Sequence, residues 1–249
     1  LRRLAADDAL YAFDFDGTLS PIVAVPGEAC MPSAIGDAFA ALCEIATVAV
    51  ITGRTLDDIR PRLSAPPHYL VGNHGAEGIP GQAAEELAAY HAVCCQWLSP
   101  LQALSGLDPG LAIECKPYSI CLHLRHVQQR AAVEAEIEFA LLGLDPAPVV
   151  IGGEHCVNLL PPGAPNKRLA LERLLALSDK HIALYIGDDE TDEWVFRAAP
   201  SDWLTIRVGP AADSAAHFFL QRQEEVATLL RWAARTAART ELTSPRPVP

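Results

Sequence analysis

Positive charge is scarce in this 249-residue chain: 19 Lys and Arg stand against 31 Asp and Glu, a formal net charge of −12. That balance argues against a nucleic-acid partner, which calls for a basic face to neutralise phosphates. Long apolar runs are also missing. No stretch approaches the ~20 apolar residues that span a bilayer, so no membrane partner is expected. The seven cysteines form no pair of CxxC motifs and no Cys/His cluster at zinc spacing. Their odd number and scattered positions suit free thiols in a reducing cytoplasm. Apolar residues nonetheless make up 50% of the chain and charged ones 20%, the balance of a globular protein with a sizeable core. The chain begins at Leu1 rather than Met, which leaves open an N-terminal piece with any targeting signal. The tail 241–249 carries three prolines and no apolar period, and is expected to be flexible.

Apolar runs at 9–15, 47–51 and 69–71 read as buried parallel strands. Pro32 opens a helical pattern through Ala38, Leu42 and Ile45, and Thr55 looks like the cap of another helix. From about Gln82 the texture changes to helix 85–104, strands 111–115 and 119–124, helix 127–142, and strands 149–151 and 156–160. After Pro161-Pro162-Gly163 the alternation returns: helix 166–177, strand 181–186, helix 191–198, strand 204–208 and helix 223–238. The expected fold class is α/β, a Rossmann-like doubly wound parallel core (1–81 and 161–240) interrupted by an inserted α+β cap (82–160).

Two acidic groups sit where strands end. Asp14 and Asp16 project to the same side of an extended chain, and Gly17 after them lets the backbone turn its N–H groups toward an anion. A solvated Asp-Gly turn accounts for Asp16-Gly17 but not for Asp14 inside an apolar run, because a buried carboxylate without a partner costs several kcal/mol (about 2–7 for a polar group, more for a charge). The second group, Asp188, Asp189, Glu190 and Asp192, follows the apolar run at 181–186. It reads as a hard-cation site or as acids complementing a helix N-terminus; the latter suits Glu190 and Asp192 better than Asp188 and Asp189. Between the two groups, Thr52 offers a hydroxyl at a strand end, and Lys167 a cation at a helix start, both suited to phosphate. A solvated lysine is the bland alternative for Lys167.

Taken together, Asp14-x-Asp16-Gly17-Thr18, Thr52, Lys167 and Gly187-Asp188-Asp189-x-x-Asp192 resemble the four motifs of the haloacid dehalogenase (HAD) superfamily, in its order. The resemblance implies an aspartyl-phosphate mechanism. Asp14 would be the nucleophile, and Asp16 would protonate the leaving oxygen and then activate water. Thr52 and Lys167 would hold phosphoryl oxygens, with Gly17, Thr18, Arg54 and Asn73 around the substrate. Mg²⁺ would be held by Asp14, the Asp16 carbonyl and Asp188, with Asp189 and Asp192 nearby or through water.

The finer resemblance, over nearly the whole chain, is to trehalose-6-phosphate phosphatases. It lies in Ser20-Pro21-Ile22 after the first motif, Gly72-Asn73-His74-Gly75-Ala76-Glu77, and Gly187 through Glu193. It implies hydrolysis of trehalose 6-phosphate, the last step of trehalose biosynthesis, with the sugar read by Glu114, Lys116, His123, Arg125 and Glu154 of the insert. Glu114 and Lys116 share one strand face, which suits gripping hydroxyls; an exposed cross-strand ion pair is the plainer alternative. Two departures from the family pattern stand out: Arg168 where Gly is common, and Leu124 where an aromatic is frequent. The expected partner is a small sugar phosphate, and the expected state a monomer, with a dimer as alternative. Rival readings are a phosphatase for sucrose phosphate or glycosylglycerate phosphate, a phosphomutase, and a catalytically silent sensor.

Overall fold

The computed structural model describes residues 9–153 and 155–241. Glu154, expected to bind sugar, and residues 242–249 of the expected flexible tail lie outside the described residues. In chain order the elements are β1 (Ala9–Phe13), α1 (Ser33–Cys43), β2 (Thr47–Ile51), α2 (Leu56–Ile59), β3 (Tyr69–Val71), α3 (Ala84–Gln102), β4 (Ala112–Cys115), β5 (Ile120–His123) and α4 (Arg130–Leu142). There follow β6 (Val149–Gly153), β7 (Cys156–Leu160), α5 (Lys167–Ser178), β8 (Ile182–Gly187), α6 (Glu190–Ala198), β9 (Leu204–Val208), β10 (Phe218–Leu220) and α7 (Val226–Glu241). Among the described residues no helix is long and apolar enough to cross a membrane.

The chain divides into two compact units, one running to Pro80 and resuming at Lys167, the other Gly81–Asn166. The first is a six-stranded sheet in the order β10-β9-β8-β1-β2-β3, every pairing parallel. Strand alternation sorts its side chains onto two covered faces, as a doubly wound sheet requires. Tyr11, Phe13, Val50 and Ile186 pack with Ile35 and Phe39 of α1 and with Leu230 of α7. Leu10, Ala12, Ile51 and Tyr185 pack with Leu171 and Leu174 of α5 and with Phe196 of α6. Strand order reverses at β1, whose neighbours are β2 on one side and β8 on the other. Crevices at the carboxyl ends of strands beside such a reversal are where open α/β sheets bind ligands. The acids after β1 and β8 sit at that point.

The second unit is an antiparallel sheet, β4-β5-β7-β6, with α3 and α4 against one face. Trp97, Leu101, Val133 and Ile137 bury that face with Ile120, Leu122 and Leu159. Residues 161–166, expected in the core, belong to this unit. Tyr90 of α3 donates its hydroxyl to the Gly163 carbonyl (3.0 Å) and so ties the segment to the insert.

Three local expectations change. The sequence pattern predicts α4 from Val127, but the helix begins at Arg130, because the N–H groups of Gln128 and Gln129 donate to the Asp108 carboxylate (2.9 and 3.1 Å). The helix after Thr55 is a single turn followed by a 3-10 turn, Arg60–Arg62, although Thr55 does cap it by accepting from the Asp58 N–H. The edge strand β10 has no counterpart in the sequence reading. It is three residues long with Phe218 and Phe219 exposed, so it shows neither a buried run nor alternation.

Candidate active site

Asp14 is delivered by the backbone of β1. Its N–H donates to the Ile186 carbonyl (2.9 Å), continuing the pairing with β8, and the residue is 4% exposed. The chain then turns tightly: Gly17 donates to the Ser20 carbonyl at 2.7 Å, with φ of 82°. That left-handed conformation favours glycine, and a side chain there would also overlap the Asp188 carboxylate. Thr18 follows and donates its hydroxyl to Asp188 Oδ1 (3.0 Å). One loop therefore carries Asp14 and holds the acid that follows β8.

Lys167 lies in the first turn of α5, only 2% exposed. Its Nζ stands 3.1 Å from Asp14 Oδ1 and 2.8 Å from Asp192 Oδ1. Burial alone would lower the ammonium's pKa, but Asp14, Asp192 and Asp189 hold it well above its ordinary value, so Lys167 is charged. Asp192 is wholly buried. Its Oδ1 accepts from Lys167 and from the Tyr185 hydroxyl (2.7 Å), and its Oδ2 from the N–H groups of Asp188 and Asp189 (2.9 and 3.1 Å). Those contacts fill the roughly four acceptor positions of a carboxylate. Asp189 caps α6, its Oδ1 accepting from the Thr191 N–H and hydroxyl and from the Asp192 N–H. The helix-start reading, which suited Glu190 and Asp192, thus describes Asp189 and Asp192. Asp188 remains beside Asp14.

The remaining core candidates divide into those facing the acids and those supporting them. Arg54, expected against substrate, forks onto Asp16 instead: Nε donates to Oδ2 and Nη2 to Oδ1, both at 2.7 Å. It also donates to Asp58 (2.5 Å) and the Pro26 carbonyl (2.9 Å), beneath the Phe15 ring. Thr52 is fully buried; its N–H donates to the Val71 carbonyl and its hydroxyl oxygen accepts from the Arg54 N–H (3.2 Å). Asn73, expected near substrate, donates its side-chain amide to Glu77 (2.7 Å), which also accepts the Leu56 N–H. Tyr185 and Gln223, which donates to the Thr18 carbonyl (2.8 Å), escaped the sequence reading. A phenol in a strand otherwise free of polar tips, three residues before Asp188, was a usable signal for Tyr185; nothing marked Gln223.

In the insert, His123 Nε2 lies 2.9 Å from Glu114 Oε2, with Lys116 Nζ 3.9 Å from the same oxygen. Arg125 is exposed just beyond β5. The structure therefore brings together Glu114, Lys116 and His123 of the expected sugar-binding residues.

The donor set suits a hard cation. Carboxylate oxygens of Asp14, Asp188 and Asp192 lie within 4.8 Å of one another. Burial holds Asp14 well above the usual carboxylate range, with Lys167 pulling it down and Asp192 and Asp189 pushing it up. Asp188 is raised by burial first and then by Asp14 and Asp192. Several acids around one ammonium leave the excess negative charge that a divalent ion relieves, and oxygen donors of this kind suit Mg²⁺. With Asp192 saturated by hydrogen bonds, Asp14 and Asp188 are the carboxylates fitted to touch it.

A sequence model of the family described as trehalose-phosphatase matches residues 12–223. The trehalose-phosphate phosphatase of Mycobacterium marinum is 32% identical over 231 residues, 86% of this chain and 58% of that protein. An uncharacterized glycosyl hydrolase of Mycobacterium tuberculosis is 34% identical over 197 residues, 74% of this chain but only 15% of its own length. The chain thus spans a little over half, or much less, of these relatives. A solved structure described as a trehalose-6-phosphate phosphatase related protein has a TM-score of 0.76 at 25% identity, covering 92% of this chain and 99% of that one. A HAD-superfamily sugar phosphatase of subclass IIB shares the fold (TM-score 0.58, 15% identity, 90% of this chain and 98% of that one).

Proposed function

The chain belongs to the trehalose-phosphatase family, and on that premise we propose that it is a phosphoric monoester hydrolase releasing phosphate from trehalose 6-phosphate through an aspartyl phosphate on Asp14. The observation that carries the reading is the buried Asp14 carboxylate with Lys167 Nζ at 3.1 Å, at the strand-order reversal of the core sheet.

The chemistry has to bring a carboxylate against an anionic phosphate. Lys167, held charged by Asp14 and Asp192, draws equatorial phosphoryl oxygens toward Asp14 and offsets the repulsion. A bound Mg²⁺, held by Asp14, Asp188 and the Asp16 carbonyl, would supply further charge neutralisation. Asp14 attacks phosphorus as Asp16 protonates the departing sugar oxygen. Asp16 then takes a proton from the water that hydrolyses the acyl phosphate. Thr52 adds its hydroxyl to the phosphate contacts. Asp192 works through others: it fixes the Lys167 ammonium and the Asp188-Asp189 backbone.

The insert's Glu114, His123 and Lys116 supply acceptors and donors matched to a polyol, and we assign them to the sugar. Seven cysteines without a disulfide support the cytoplasm as the place of work. Phosphate release with Mg²⁺ from a panel of trehalose, sucrose, glucosylglycerate and glucose phosphates tests the substrate. Trehalose 6-phosphate should lead by about 100-fold or more in kcat/KM, since contacts to substrate hydroxyls discriminate strongly. A clear preference for another ester overturns the assignment.

A further inference from the structure

Register sorts the side chains of the insert's sheet. Ile113, Ile120, Leu122, Val157 and Leu159 belong to the face packed by α3 and α4. The opposite face therefore carries Glu114 across from Cys121, and His123 across from Cys156. Directly paired residues hold their Cβ atoms about 4.5–5.5 Å apart, and Cys121 and His123 are alternate residues of one strand. Pairing of β4, β5 and β7 thus gathers two thiols, an imidazole and a carboxylate that show no metal spacing along the sequence.

Their contacts already have the orientation of a soft-ion site. His123 points Nε2 at Glu114 Oε2 (2.9 Å), and its other nitrogen, Nδ1, lies 3.8 Å from Cys121 Sγ. Cys156 stands across from His123, and Asn158 donates its amide to Cys156 Sγ (3.5 Å). Donor atoms of Glu114, Cys121 and His123 all fall within 4.8 Å of one another. A tetrahedral Zn²⁺, bound at ~2.3 Å to sulfur and ~2.0 Å to nitrogen, keeps such donors roughly 3.5 Å apart, close to the 3.8 Å between Cys121 Sγ and His123 Nδ1. Metal-bound imidazoles commonly donate their second N–H to a carboxylate, which is the place Glu114 occupies.

We propose that Cys121, Cys156 and Nδ1 of His123 bind one thiophilic divalent ion of the Zn²⁺ kind, with Glu114 orienting the imidazole and water completing the shell. Two thiol protons leave as the two sulfur–metal bonds form. Mg²⁺ prefers oxygen donors and stays with Asp14 and Asp188. The consequence for turnover rests on the sugar-reading role assigned above: an ion on this face withdraws His123 and Glu114 from the sugar and competes with substrate.

The test uses the full chain in saturating Mg²⁺, with Co²⁺ and Zn²⁺ as probes. One equivalent of Co²⁺ should give a thiolate-to-cobalt charge-transfer band that Zn²⁺ abolishes. Zinc affinity, read by competition with a chromophoric chelator, should fall at least tenfold in Cys121→Ser and in Cys156→Ser, and stay unchanged in Cys30→Ser, a thiol of the other unit. Cys121 is buried, so Cys156→Ser, at a half-buried position, carries the test if Cys121→Ser fails to fold. Absence of the band, or variants that bind as the parent does, overturns the site. In turnover, Zn²⁺ should raise KM several-fold at constant kcat in the parent and not in Cys156→Ser. Binding without any change in KM would uphold the ion site and count against the sugar-reading role alone.

Discussion

Arg54 is the residue whose role changes most between sequence and structure. Placed after Thr52-Gly53, it reads as a substrate contact, yet its guanidinium is taken up by Asp16, Asp58 and the Pro26 carbonyl. A planar fork on a carboxylate fixes both position and orientation, which a lysine's point charge does not. In the proposed mechanism Arg54 is therefore a positioning residue for Asp16. Arg54→Met should lower kcat by about 10- to 100-fold with little change in KM, the signature of a misplaced reacting group rather than a lost substrate contact. Arg54→Lys should recover only part of the loss. A rise in KM at constant kcat, measured in steady state, would return Arg54 to the substrate. The same lesson holds for the acids after β8. Residue type and strand-end placement were visible in the sequence, whereas the division of labour was not. Asp192's saturation depends on Lys167 and Tyr185, which lie on other elements and meet it only in the fold.

The elements were largely legible because their signals are local. β1, β2 and β8 are apolar runs buried in the sheet, and α5 and α6 carry the apolar spacing that packs them on one face. What escaped depends on partners distant in sequence. β10 exists because β9 offers it an edge, and the true start of α4 follows from Asp108, about twenty residues upstream. Asp108 is buried and accepts the N–H groups of Gly110, Gln129 and Gln128, which together hold its carboxyl below the usual range. A carboxyl with a depressed native pKa contributes stability above its unfolded value, about 3.9, and that contribution is lost as pH falls through the native value. Asp108→Asn should thus lower the melting temperature at neutral pH, and the gap from the parent should narrow below about pH 4. Thermal melts at the two pH values check this; a gap independent of pH would deny the carboxylate its role.

At the scale of the whole molecule, a net charge of −12 is compatible with the proposed anionic substrate because a buried cation stands at the proposed site. Lys167 is buried among acids at the carboxyl ends of β1 and β8, and in the insert Lys116 Nζ lies 3.9 Å from Glu114. The alternation of strands and helices, with its interruption, was readable from hydrophobic period alone. The proposed choice of sugar was not, since it is assigned to a few side chains of short strands that carry no such period. The account turns on Asp14 as nucleophile. Its most direct test is to quench the full chain during turnover of trehalose 6-phosphate with Mg²⁺ and map the phosphoryl group by peptide mass. The expected result is an acid-stable, base-labile acyl phosphate on Asp14, absent from Asp14→Asn, which also loses turnover. Steady release of phosphate with no phosphoryl enzyme, or with the group on another residue, would contradict it.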